Sequence, residues 1–426
     1  MDVRLSKRYN RLITEHMNNS EPISAGLKAL PDKNSSFAST QAAWRFYSNK
    51  KISLQVLQEP LTAAAHQGIT THTKQYALCV HDWSHLTYKH ANKPDTYAIT
   101  HAKDIGHDLQ SSLLLSDSNG EPLAPLAQCL VSAEGSYSTY AMNTSGTKPV
   151  KTHLDELTTC IGYLEKQGFE KPLVHIIDRE ADSVGHIRQW QKAGAHWLIR
   201  VNDNPTVEYA GKPMACKRVA AHLKFTQSRE VIYHGKPARQ WVAEAPVVLT
   251  RKAKPSQTKS PKPRVAGEAV AVRMIVSRVL SDQGEILAQW LLLSNVNEVD
   301  GATIALWYYW RWRVESFFKL LKSAGHQVEA WQQESALAIA KRLLVAGMAC
   351  VTVWTIAADQ SKEAAELRLF LVKLSGRQMQ RNKPFTHPAL LAGLWVFLSM
   401  LEVMEAFPPE KLSCLKSTAQ LFVKGV

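Results

Sequence analysis

LVHIIDREAD, residues 173–182, decides how the chain folds. Its apolar half is a compact strand that stops at Asp178. A helix over about 181–192 follows at once, then a second apolar strand, HWLIRV, at 196–201. Upstream, YALCVHD (76–82) reads as another short strand ending on an acid, Asp82. LQSSLLLSD (109–117) and LAPLAQCLVSA (123–133) add two more, separated by the turn SNGEP, and a helix is expected over about 152–166. Strands interleaved with helices predict a mixed α/β core rather than a helical bundle. In open α/β sheets, strand ends are where ligands and reacting groups gather, so Asp82 and Asp178 are candidate site residues. For either aspartate alone, a turn or helix-cap role is the alternative.

The rest of the chain divides by texture. Residues 1–70 are helical and polar, and 71–204 hold the first part of the α/β core. Residues 205–287 carry alternating segments such as REVIYHG, RQWVAEAPVVLTR and AVAVRMIVSRVL, which predict a mostly antiparallel β insertion. Within it, RKAKPSQTKSPKPR (251–264) has six basic residues, three prolines and no acid, and reads as a loop suited to contact a phosphate backbone or stand in solvent. Residues 288–335 resume the core with the strand QWLLLS and lead into a helix. From 336 to 426 the chain is helical as far as about Phe407.

That helix after the insertion reads WYYWRWRVESFFKLLKS, residues 307–323. On one continuous helix Arg311, Glu315 and Lys322 would lie within about 60° of Tyr308, giving one face a hydroxyl, a guanidinium, a carboxylate and an ammonium. Such a face suits a metal-bound phosphate, with the carboxylate for the cation and the basic groups for the flanking phosphates. A solvated charged face is the plain alternative. Two-metal phosphoryl chemistry needs several converging carboxylates, and Asp82, Asp178 and Glu315 meet that need if their strands are neighbours.

Lys and Arg number 51 against 37 Asp and Glu, a net charge of +14. The excess points to a polyanionic partner, nucleic acid first and an anionic membrane second. Six scattered cysteines without a CxxC pair suggest neither a zinc site nor a disulfide framework, so a reducing cytoplasm is expected. The apolar runs 343–358 and 388–400 are short for a bilayer span and predict buried helices or an oligomer interface. No HExxH motif and no GxxxxGKS loop occurs, which argues against zinc hydrolysis and ATP use. His81 and His85 flank Asp82 and read as orienting or structural before metal-ligating.

With these motifs in hand, the chain resembles bacterial insertion-sequence DDE transposases. It is most similar to the YREK-signature group, which includes the transposase of transposon five. Tyr308, Arg311, Glu315 and Lys322 match the group's Y-(2)-R-(3)-E-(6)-K spacing, and LCVHDWSHLTY and VHIIDREAD match the motifs around its two aspartates. The resemblance implies an RNase H-like mixed-sheet catalytic core interrupted by a β-rich insertion, between N-terminal and C-terminal helical domains. It implies Asp82, Asp178 and Glu315 as catalytic residues and ligands of two Mg²⁺ ions, with Mn²⁺ able to substitute. DNA contacts would come from Tyr308, Arg311 and Lys322, from Trp290 stacking on a flipped base, from Arg200, and from Arg45 in TQAAWRFYSN. Residues 1–70 would bind transposon ends and 336–426, including LLAGLWVFLSMLEVMEAF, would dimerise the protein on double-stranded DNA.

The implied reaction is cut-and-paste transposition, by nicking, hairpin formation and strand transfer, at the nucleoid of a bacterial cytoplasm without a nucleotide cofactor. A nuclease on the same core that cuts without joining, and a silent DNA-binding regulator, are the alternative functions.

Overall fold

The computed structural model describes residues 2–17, 33–88, 95–140, 152–233, 235–254, 263–380 and 383–423. Three helices come first: α1 (Val3–Met17), α2 (Lys33–Ser48) and α3 (Leu54–His72). The strands β1 (Ala77–Thr87), β2 (Tyr97–Ala98), β3 (Ile105–Ser116), β4 (Pro122–Ser132) and β5 (Gly135–Ser138) follow. Next are α4 (His153–Leu164), β6 (Leu173–Ile177), α5 (Val184–Lys192) and β7 (His196–Val201). The insertion supplies β8 (Thr206–Tyr209), β9 (Lys212–Ala215), α6 (Cys216–His222), β10 (Gln227–Tyr233), β11 (Lys236–Leu249) and β12 (Val270–Leu280). After β13 (Ile286–Ser294) the chain is helical: α7 (Gly301–Trp310), α8 (Trp312–Leu321), α9 (Ala336–Ala358), α10 (Lys362–Leu374), α11 (His387–Ala406) and α12 (Pro409–Val423).

All strands join one 13-stranded sheet whose main path runs β5-β4-β3-β1-β6-β7-β13-β12-β11-β8-β9. The stretch β4-β3-β1-β6-β7 is antiparallel on one side of β1 and parallel on the other, the mixed arrangement expected of an RNase H-like core. The insertion does not make a sheet of its own. β13 pairs with β7 through Leu291–Ser294 on one side and with β12 from Ile286 to Ser294 on the other, so the insertion extends the core sheet sideways. Alternating burial along β12 and β11 reflects one covered face, whereas the central strand β6 is buried throughout, as befits a strand covered on both sides. Residues 255–262 of the basic RKAK loop lie outside the described residues.

β1 runs longer than its sequence suggests. Asp82 is not its last residue, because Trp83 to Thr87 continue pairing with β3. The parallel neighbour β6 pairs only as far as Val80 with Ile176, so Asp82 lies where β1 outruns β6.

The helical end wraps this sheet. α3 and α9 pack together against β4. α9 is 23 residues long and α11 is 20, and both are apolar and long enough to cross a membrane by composition. That corrects the expectation drawn from the uncharged runs alone, since α9 extends past its charges. Its window is 83% buried inside the protein, which makes it a core helix; that of α11 is 33% buried.

Two charges enter the α9 core only with partners. Lys341 Nζ donates to the Tyr47 and Asn49 carbonyls at 3.0 and 2.9 Å, and burial lowers its pKa to about 8. Arg342 donates to Gln333 Oε1 at 2.7 Å and lies over the Trp331 ring. Hydrogen-bonded burial of this kind fixes how the end of α2 seats on the core.

α10 and α11 touch closely at Gly393, where an added Cβ would come 1.9 Å from the Leu371 carbonyl oxygen. Gly393→Ala is expected to destabilise the protein by about 1–3 kcal/mol through forced separation of the two helices, read as a lower denaturation midpoint at unchanged m-value.

Candidate active site

Asp178 directly follows β6 and caps a short 3-10 turn, Arg179–Ala181, with its Oδ1 accepting from Glu180 N at 2.8 Å. The capping role expected of it alone is therefore present, and α5 starts three residues later than the sequence suggests. Asp178 follows the end of β6, the parallel neighbour of β1, and its charge reaches the Asp82 carboxyl.

The sheet face opposite the Asp82 side chain carries Cys79, His81 and His175, whose ligand atoms lie within 4.8 Å of one another. Their hydrogen bonds form a directed chain. His175 Nε2 meets Glu165 Oε1, His175 Nδ1 meets His81 Nε2, and His81 Nδ1 meets Ser112 Oγ, each at 2.8 Å. One tautomer assignment satisfies every ring nitrogen, so His81 is a structural histidine beneath β1. His85 pairs with Asp108.

The helix carrying Glu315 is interrupted. α7 ends at Trp310, and α8 begins at Trp312 after a tightened turn in which Arg311 N bonds the Tyr308 carbonyl at 3.1 Å. Arg311 keeps helical dihedrals at this one-residue junction and lies one turn from Glu315 on the same face, whereas Lys322 falls just past the end of α8. Tyr308 is buried in the core, Arg311 is directed into the site, and Glu315 is exposed on α8. Lys322 follows the last residue of α8, donates to the His85 carbonyl and sits 3.4 Å from Glu329 Oε1.

Arg311 is the hub. One guanidinium nitrogen donates to Asp82 Oδ2 at 2.7 Å, and the other lies 4.0 Å from Glu315 Oε1. Burial, aided by the charges of Glu315 and Asp178, holds the Asp82 carboxyl up at about 6 against the pull of Arg311 and the Trp83 N–H. Burial works to lower the pKa of Arg311, but Asp82, Tyr308 and Asp178 raise it on balance. Three carboxylates thus crowd one guanidinium. Arg200 on β7 and Tyr308 face each other beside them; burial raises the Tyr308 pKa, and Arg311 and Arg200 oppose the rise.

Trp290 and Arg45 are the remaining expected contacts. Trp290 is 6% exposed, with its ring packed among Tyr233, Tyr308 and Tyr309. Arg45 is exposed on α2, which packs against α1 and α9.

A family model described as Transposase DDE domain matches residues 128–350, more than half of the chain. The chain belongs to the DDE-domain transposase family. Asp178 and Glu315 fall inside the matched stretch, and Asp82 precedes it. Among solved structures, a piggyBac transposase synaptic complex with hairpin DNA is similar at 11% identity and a TM-score of 0.40, covering 98% of this chain and 76% of that one. No curated protein matches the chain.

Asp82, Asp178 and Glu315 offer hard carboxylate oxygens of the kind a divalent cation takes, but their oxygens are not all within 4.8 Å of one another, so a cation would have to draw them closer around Arg311. Mg²⁺ or Mn²⁺ at a hundredfold excess over Kd is expected to stabilise the protein by about 2.7 kcal/mol, read as a raised Tm that Asp82→Asn and Glu315→Gln lose. Without metal, the pH dependence has a defined sign. A carboxyl raised to about 6 binds protons more readily in the folded chain, so its contribution to stability falls as pH rises from about 4 to 6. That decline, up to about 1.4 kcal/mol per pH unit, is expected to be absent from Asp82→Asn in pH-dependent unfolding.

Proposed function

We propose that the chain is a Mg²⁺-dependent DNA transposase of the YREK-signature group. It would cut an insertion sequence from DNA and join it to a target through nicking, hairpin formation and strand transfer. The observation that carries this reading is the convergence of Asp82, Asp178 and Glu315 on Arg311, in a chain of the DDE-domain family. The net charge of +14 suits a DNA partner.

Asp82, Asp178 and Glu315 would hold two divalent ions, which polarise the scissile phosphodiester and acidify the attacking hydroxyl when bound. Asp82 Oδ2 must exchange the guanidinium for this role, and that exchange frees Arg311 to grip a phosphate of the transposon end. Arg200 holds the Tyr308 hydroxyl beside the same phosphates. Lys322, moored at the end of β1, supplies a further positive charge. Burial among three tyrosines supports Trp290 as a wall of this site, and a flipped base would reach it only after they part. Arg45, on its exposed helix, would contact the end at a distance within a 1–70 end-binding domain. Residues 336–426 would pair two copies on DNA, using α11, whose apolar window is only 33% buried.

Asp82→Asn, Asp178→Asn and Glu315→Gln are each expected to lower Mg²⁺-dependent nicking of donor ends by on the order of 10³-fold while gel shifts with the same ends persist. Undiminished nicking by Glu315→Gln would refute the assignment. Nicking without strand transfer on labelled ends would support the nuclease alternative, and binding without any cleavage the silent regulator.

A further inference from the structure

We propose that Cys79, His81 and His175, with Cys160, form a buried tetrahedral Zn²⁺ site beneath the sheet, separate from the carboxylate site. No spacing in the sequence announces it, because its ligands come from two strands and a helix. Cys79 and His175 pair directly across β1 and β6, and His81 is two residues on, on the same face as Cys79. Their donor atoms lie within 4.8 Å of one another, and the three residues are at most 2% exposed. A thiol and two imidazoles are donor types that zinc takes.

Zinc at about 2.0–2.3 Å from each ligand sets its donors about 3.3–3.8 Å apart. His81 Nε2 and His175 Nδ1, 2.8 Å apart without metal, must open by about half an ångström to admit it. Both rings already have the outer partner that a metal-bound imidazole needs. Glu165 Oε1 takes the Nε2–H of His175, which leaves Nδ1 as the lone-pair nitrogen. In His81 one proton moves from Nε2 to Nδ1, and Nδ1–H then donates to Ser112 Oγ. The Ser112 hydroxyl, 3.3 Å from Cys160 Sγ, turns to donate to that sulfur. Cys160, on α4, lies outside the 4.8 Å group and swings inward to close the tetrahedron. Burial raises the pKa of both thiols, so the metal-free chain holds them protonated. Binding releases two protons and leaves a neutral centre of two thiolates and two imidazoles, which a dry core tolerates. The metal would staple β1 to β6, the strand that carries Asp82 to the strand that leads into Asp178.

The test uses the full chain, purified reduced, supplied with Zn²⁺ and then dialysed against excess Mg²⁺ to clear the carboxylate site. One zinc per chain is expected to remain. Its X-ray absorption should show two nitrogens at about 2.0 Å and two sulfurs at about 2.3 Å. Co²⁺ in place of zinc should give a thiolate-to-metal charge-transfer band, which carboxylate ligands do not produce. Cys79→Ser combined with Cys160→Ser should lose the band and the bound zinc, whereas Asp82→Asn should keep both. A wild type that retains no zinc, or holds it through oxygen and nitrogen alone, overturns the proposal and leaves the histidine pair as a hydrogen-bonded core. So does a band that survives in the double variant. If the double variant does not fold, the wild-type absorption shell decides alone. None of these readouts requires DNA cleavage, so the zinc site stands or falls apart from the function proposed above.

Discussion

One buried ion pair, Arg311 to Asp82, ties the two halves of this molecule together. Asp82 belongs to a strand near the start of the sheet and Arg311 to a helix junction reached only after the whole β insertion. Like charges gathered in a half-buried site repel, and each carboxylate there resists desolvation. A single guanidinium relieves part of that repulsion and fixes the turn between α7 and α8. Glu315 is carried into position as a consequence. Removing either partner would leave an uncompensated buried charge, which is more damaging than the pair is stabilising.

The sheet explains why this pair can form at all. β1 and β6 run parallel, and Asp178 follows the end of β6, where its charge reaches Asp82. β7 then hands the sheet to β13, so the insertion leaves and returns at one edge. β13 ends near the start of α7, and Asp300 caps that helix by accepting from Thr303 N at 2.7 Å. A long excursion in sequence therefore becomes a short one in space. The histidine chain under β1 anchors the other face of the same strands, joining β1, β3, β6 and the end of α4 by side-chain hydrogen bonds.

Much of this was legible in the chain before folding was considered. The apolar runs that make β1, β3, β4, β6 and β7 are short, continuous and punctuated by turn residues, so periodicity alone places them. Asp178 was readable because nothing but a strand end fits LVHIID followed by a helix. Other features depend on partners that a sequence does not display. The polar residues after Asp82 read as a strand end, yet pairing with β3 carries the strand on to Thr87. The one-residue break at Arg311 lies in a stretch that is apolar and aromatic on nearly all sides, so no periodicity marks it, and the partner Arg311 bonds there, Asp82, is distant in sequence. Trp290 read as a candidate base contact, but three tyrosines cover it. The partnership of His175 with Glu165 has only one signal in the chain, a histidine set between Val174 and Ile176 in an otherwise apolar strand.

The central claim is that the three acids gathered around Arg311 form one cation site. A crystal structure grown with Mn²⁺ and a nicked DNA end, with the metal located by anomalous scattering, tests it most directly. The account predicts two peaks about 4 Å apart, bridged by Asp82 and flanked by Asp178 and Glu315, with Arg311 turned toward a phosphate. Manganese bound elsewhere, or Arg311 still on Asp82 with the DNA in place, would contradict it.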